Sequence, residues 1–286
     1  MNTRDSIDNN KLAILKCLKE GSAQDIKTFF EKNKRVLNWY IHGKPIINAL
    51  LQFRYLDKNL DLLLESLKAA GVNLFACNKS DHKSSLFSLF TFNKEGERSA
   101  LHELIKLLRQ YPDKFDEAVK NSFLYLLNYG LDINQLDENG FTPLALATCH
   151  FEKINVDLVL LLLKHNPTPI FTYGSDHKDH VLATLVDLYS SMNMTGYETD
   201  EGQLRFLAKE QAVFDTMRLL ILFGADLNFI VDVSVGRASP NEKISIRDYM
   251  LKVSKNNREE LAKLVEFYDN KQSEAVEKTN QSCSIM

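Results

Sequence analysis

Residues 137–168 read DENGFTPLALATCHFEKINVDLVLLLLKHNPT, and this stretch carries the start and stop signals of two consecutive helices. Gly140 permits a turn with positive φ. Thr142 suits a helix N-cap, and Pro143 suits the first turn, where its missing N–H costs no hydrogen bond. Ala145 and Ala147 are small enough for close helix contact. A second helix is predicted over 156–164, where VDLVLLLLK presents an apolar face that another element must cover. A unit of this kind becomes stable by stacking on copies of itself.

Copies are present. Ser80-Asp81-His82-Lys83 recurs as Ser175-Asp176-His177-Lys178, and Asn59-Leu60-Asp61-Leu62 parallels Asn155-Val156-Asp157-Leu158. Gly130-Leu131-Asp132-Ile133-Asn134 likewise parallels Gly224-Ala225-Asp226-Leu227-Asn228. All three matches share an offset of about 95 residues, so two tandem units are read, 43–137 and 138–232. Expected helix ends at Gly71, Gly130, His165 and Gly224 divide each unit into two repeats, one of them lengthened by an insertion. The insertions, 91–121 and 187–215, are expected to be helical. ERSALHELIKLLRQY (97–111) is closed by Pro112, and a long helix is predicted over 203–222. Capping repeats are expected at 1–42, with helices near 11–20 and 23–32 broken by Gly21, and at 233–270. A flexible polar tail is expected over 271–286.

These patterns resemble the ankyrin repeat, G-x-T-P-L-x-x-A followed by a leucine-rich helix and G-A-D-x-N. The matching residues are Gly140, Thr142-Pro143-Leu144, Ala147 and the two Gly-x-Asp-x-Asn turns. Gly43-Lys44-Pro45-Ile46 keeps the Gly and Pro, Ser84-Ser85-Leu86 loses the Pro, and Asp179-His180-Val181 loses both. The resemblance implies an all-α ankyrin-repeat solenoid of about six divergent repeats with two helical insertions. It also implies protein binding rather than chemistry, through the hairpin tips and the face of the first helices. By the matched positions, Asn78, Lys79, Gln135, Asp137, Glu138, Tyr173 and Asp176 are the expected exposed contacts for a partner.

Composition narrows the function. A net charge of −3 and a pI near 6.2 argue against a basic nucleic-acid binder. The four cysteines are scattered, with no CxxC, so the expectation is a reducing cytosol without a disulfide framework. MNTRDSIDNN lacks a signal-peptide apolar core, and the longest apolar run, Leu158–Leu163, is far short of the roughly 18 residues of a membrane span. No phosphate-loop, dinucleotide, zincin or nucleophile-elbow motif occurs. The HxxH at His177 and His180 is read as a polar surface turn, since its counterpart has only His82. Cys17, Cys77 and Cys149 are read as small core residues, and Trp39-Tyr40 with Phe53 and Tyr55 as packing between repeats. No enzyme activity, metal or cofactor is expected. The competing reading is an enzyme whose site is built from the insertions, with His102, Glu103 and His180 converging.

The sharpest motif is terminal. Cys283-Ser284-Ile285-Met286 matches the C-a-a-X prenylation signal, and Met at the end favours farnesyl. The expected partners are a prenyltransferase, a membrane reached through the farnesyl group, and a host protein held by a monomeric scaffold. Lys271–Ser282 carries two Lys and two Glu and no second cysteine, so one lipid alone gives reversible attachment. Ankyrin repeats ahead of such a signal resemble type IV secreted effectors of intracellular bacteria. That likeness implies secretion into a host cell and residence in its cytoplasm and at its membranes. The Glu-bearing end (Glu259, Glu260, Glu266, Glu274, Glu277) is similar to their secretion signals, although no F-box-like segment is found. A eukaryotic prenylated ankyrin adaptor is the other reading of the same motifs.

Overall fold

In the computed structural model the described residues are 3–41, 43–76, 98–111, 114–148, 154–173, 177–192, 199–233, 242–254 and 259–283. They form twelve α-helices, one 3₁₀ turn and three two-stranded sheets, so the chain is mostly helical. The helices come as six consecutive pairs. They are α1 (Thr3–Glu20) with α2 (Ala23–Lys32), α3 (Ile46–Arg54) with α4 (Leu60–Ala69), and α5 (Ala100–Gln110) with α6 (Glu117–Asn128). These are followed by α7 (Pro143–Thr148) with α8 (Val156–Leu163), α9 (Val181–Ser191) with α10 (Asp200–Leu222), and α11 (Ile246–Ser254) with α12 (Glu259–Cys283). Short hairpins lead into three of the pairs: β1 (Tyr40–Ile41) with β2 (Lys44–Pro45), β3 (Ile170–Tyr173) with β4 (His177–His180), and β5 (Ile230–Val233) with β6 (Glu242–Ser245). Two compact units result, Met1–Lys178 and Asp179–Met286, the division falling inside β4.

In the first unit, first helices pack on first helices and, as far as α6, second helices on second helices. The first helices stack in the order α1, α3, α5, α7, and the second helices in the order α2, α4, α6. The buried side chains follow from the helical period. Leu60, Leu63, Leu64 and Leu67 of α4 lie on one stripe, as do Leu101, Leu104, Ile105 and Leu108 of α5, and all are fully or almost fully buried. Burial of each such leucine contributes about 2 kcal/mol. α7 is buried throughout, which explains its run of small and apolar residues. In the second unit α9 packs on α10 and α11, and α11 on α12. There Leu261, Leu264, Val265 and Tyr268 form the buried stripe of α12.

Local signals set the boundaries. Ser22 and Asp25 make a reciprocal capping box on α2, while Asn155 caps α8 and Thr199 caps α10 through their side chains. Gly21 separates α1 from α2, because a Cβ there would meet the Cys17 carbonyl oxygen at 2.5 Å. Three second helices end in the same way. Gly71, Gly130 and Gly224 take φ of 89°, 100° and 92°. Each glycine N–H donates to the carbonyl three residues back, and the next N–H to the carbonyl five back, as in Val72 to Leu67 (2.9 Å) and Ala225 to Leu220 (2.9 Å). The side chain two places after each glycine then accepts from the N–H two residues further on: Asn73 from Phe75, Asp132 from Asn134 and Asp226 from Asn228. At the fourth such end the left-handed residue is Asn166 (φ 52°) rather than the expected His165; asparagine tolerates that conformation where histidine does so less well. A methyl group at Gly130 has no neighbour within 4 Å, so Gly130→Ala tests backbone conformation alone. We expect a loss of about 1 kcal/mol in denaturant unfolding, and no loss would contradict the turn.

The structure changes the expected placement of the insertions. α5 is not an added helix, because it packs between α3 and α7 as the first helix of the third pair. α10 is likewise the second helix of its pair, lengthened at its N-terminal end. The proposed repeat start at Ser84-Ser85-Leu86 lies outside the described residues, and the helix pair begins instead after Ser99. The match of Ser80–Lys83 with Ser175–Lys178 falls largely outside the described residues, but the other two tandem matches fall at equivalent places. Asn59 and Asn155 precede α4 and α8, and Gly130 and Gly224 follow α6 and α10. At the C-terminus α12 runs through Cys283, where a flexible tail was expected from 271. Residues 259–286 contain no glycine or proline to stop a helix, and Lys, Gln, Glu and Ala favour one. Arg247 pairs with Asp269 (2.7 Å), and Lys271 donates to the Ile221 carbonyl oxygen at 3.3 Å and to that of Leu222, at the end of α10. Among the described residues no helix is long and apolar enough to cross a membrane.

Candidate partner-binding groove

α5 places Glu103, Lys106 and Gln110 along one face by their spacing of three and four residues. α3 supplies Gln52, and Tyr55 follows as its C-cap. Between the two helices lies a cavity of about 580 Å³, open to solvent, with Lys44 of β2 and Tyr111 at its margins. Glu103 is the anchor. Its side chain is only 2% exposed, and Oε1 accepts a hydrogen bond from the Lys44 ammonium. Oε2 is buried and has no hydrogen-bond partner among the described residues. Lys106 is half-buried. Burial first, and then the nearby Arg98 and Lys44, pull its ammonium below the usual lysine range, while Glu103 and Glu138 oppose them. The rings of Tyr55 and Tyr111 lie 6.1 Å apart at 34°, and Tyr111 is half exposed. Burial, and secondarily Tyr111, pushes the Tyr55 phenol up.

Beside the groove, the turn before α7 is tied to α5. Asp137 Oδ1 accepts from the Asn139 N–H (2.9 Å) and the Phe141 N–H (3.0 Å), while the Asp137 N–H donates to the Phe141 carbonyl (2.9 Å). Gly140 at φ 83° closes the loop. Arg98 pairs with Glu138 and lies 4.0 Å from Asp137. His102 completes the tie, with Nδ1 2.8 Å from Ser99 Oγ and Nε2 3.0 Å from the Phe141 carbonyl. A carbonyl can only accept, so Nε2 carries the proton and Ser99 donates to Nδ1. Burial holds the ring neutral by lowering its pKa, against Asp137 and the backbone carbonyls that would raise it.

The expected contact residues separate in this setting. Asp137 is buried, not an exposed tip, because its carboxylate organises the turn from within. Glu138 is 36% exposed but held by Arg98, and Gln135 is half-buried. Asn78, Lys79 and Asp176 lie outside the described residues, and so do Cys77, Cys149 and Ser284, Ile285 and Met286. Tyr173 ends β3, and Cys283 ends α12. Cys17 is half-buried, with its thiol raised to about 11 by burial and then by Asp25. Phe53 is exposed and Tyr55 buried, so these two do not share one packing role.

His102, Glu103 and His180 each have a structural role of their own. His102 and Glu103 are adjacent on a helix and serve different partners. His180 is 1% exposed, contrary to the surface turn expected there, and its Nδ1 accepts from the Leu182 N–H (3.1 Å) to cap α9. The groove itself escaped the sequence reading, although the polar stripe of Glu103, Lys106 and Gln110, at spacings of three and four, was its visible sign. Compared with known proteins, the sequence matches no family model and no curated relative.

Proposed function

We propose that the chain is an ankyrin-type scaffold that binds a protein partner by contact and brings it to a membrane through a farnesyl group on Cys283. The observation that carries this reading is one helix pair repeated along the chain, closed at three places by the same glycine turn with an Asp or Asn bond behind it. Further support comes from the stacking of first helices on first helices and second on second in the first unit. Ser99-Ala100-Leu101-His102 adds to it, since the spacing is that of a T-P-L-H repeat start. The resemblance to secreted effectors extends the proposal to delivery into a host cell. The lipid acts alone and reversibly, since the tail supplies no net positive charge. In cells that contain prenyltransferases, Cys283→Ser is expected to move the protein wholly into the soluble fraction. Unchanged membrane association of that variant would overturn the lipid's role.

A further inference from the structure

The groove between α3 and α5 holds one acceptor and one donor that the fold does not pair. Glu103 Oε2 is buried without a donor among the described residues, although a buried acceptor left unsatisfied is destabilising. Lys106 lines the same groove, is half-buried beside Lys44 and Arg98, and has no carboxylate bonded to it among the described residues. Lys44 is paired with Glu103, and Arg98 with Glu138 and Asp137, so Lys106 is the one of these three cations with no ion pair among the described residues. A cavity of about 580 Å³ is large enough for a few residues of extended chain and open enough for that chain to enter and leave. The tyrosine pair supplies an apolar wall with polar tips.

We infer that this groove binds an extended peptide segment of the partner that carries an acidic side chain. The carboxylate seats on Lys106, a backbone N–H of the segment donates to Glu103 Oε2, and the peptide lies against Tyr55 and Tyr111. A peptide offers this donor and this acid a few ångströms apart, which matches the separation of residues one helical turn apart on α5. A lysine-bearing segment satisfies Glu103 but is repelled by Lys106 and Lys44. The inference rests on the reading that the chain binds a protein partner.

The test titrates the isotopically labelled full-length chain with three blocked pentapeptides, Ac-Ala-Ala-X-Ala-Ala-NH₂ with X as Glu, Gln or Lys, and follows amide chemical shifts. The Glu peptide is expected to move the signals of Lys44, Tyr55, Glu103, Lys106 and Tyr111, and to bind about tenfold more tightly than the Gln peptide. Lys106→Met should erase that preference. Glu103→Gln should weaken all binding about tenfold while the spectrum stays dispersed. A Gln or Lys peptide that binds as well as the Glu peptide overturns the inference, as does a Glu peptide that moves none of these signals or only others. Either result leaves partner binding standing, because that reading fails only if the chain captures no partner.

Discussion

Asp137→Ala is expected to destabilise the first unit by about 3 kcal/mol, whereas Glu138→Ala beside it should cost less than about 1 kcal/mol. Asp137 is 2% exposed and accepts two backbone N–H groups of the turn. Its loss also withdraws the carboxylate beside Arg98 and frees the loop that holds the Phe141 carbonyl against His102. Glu138 makes its ion pair at the surface, where solvent screens it. The two neighbours, both expected to be partner contacts, therefore have opposite roles. Denaturant unfolding of the two variants checks this. Equal losses would contradict the assignment of Asp137 as the centre of the turn.

Acid is expected to weaken the second unit through His180. Its ring is buried, and burial lowers its pKa from 6.5 to about 4, against a smaller opposing effect of Asp226. The neutral ring is the form that caps α9, since Nδ1 accepts the Leu182 N–H. The unfolded chain binds a proton below about 6.5 and the folded chain only below about 4. The stabilisation is therefore complete above 6.5, falls as the pH drops through that window, and levels off near 4. The full loss is about 3 kcal/mol. His180→Asn supplies a side-chain acceptor that does not titrate, so its unfolding free energy should lose this part of the pH dependence. His102, also held neutral by burial, acts in the same direction in the first unit. The difference between wild type and His180→Asn isolates His180, and parallel curves would contradict it.

The parts of the fold legible in the sequence were those decided within a few residues. The helix starts expected at 23 and 156 carry the side-chain caps Ser22 and Asn155, and Gly71, Gly130 and Gly224 stop helices where expected, so a few neighbouring residues suffice to place each of these boundaries. The features that escaped depend on distant partners. α5 carries a helical pattern but no Pro in its first turn, so its membership of a pair became visible only through its packing between α3 and α7. Asp137 reads as a polar loop residue, and only its turn geometry and Arg98 account for its burial. His180 looks like part of a polar run, yet its ring lies 5.2 Å from Phe229 and caps a helix. The groove joins Lys44 to Glu103, which no local pattern brings together.

The central claim, a contact scaffold with a lipid at Cys283, is tested most directly by affinity capture with the intact chain and the Cys283→Ser variant, read out by mass spectrometry. We predict the same protein partner with both baits, and membrane material with the intact chain alone. A partner recovered with neither bait, or membrane material recovered equally with both, would contradict it.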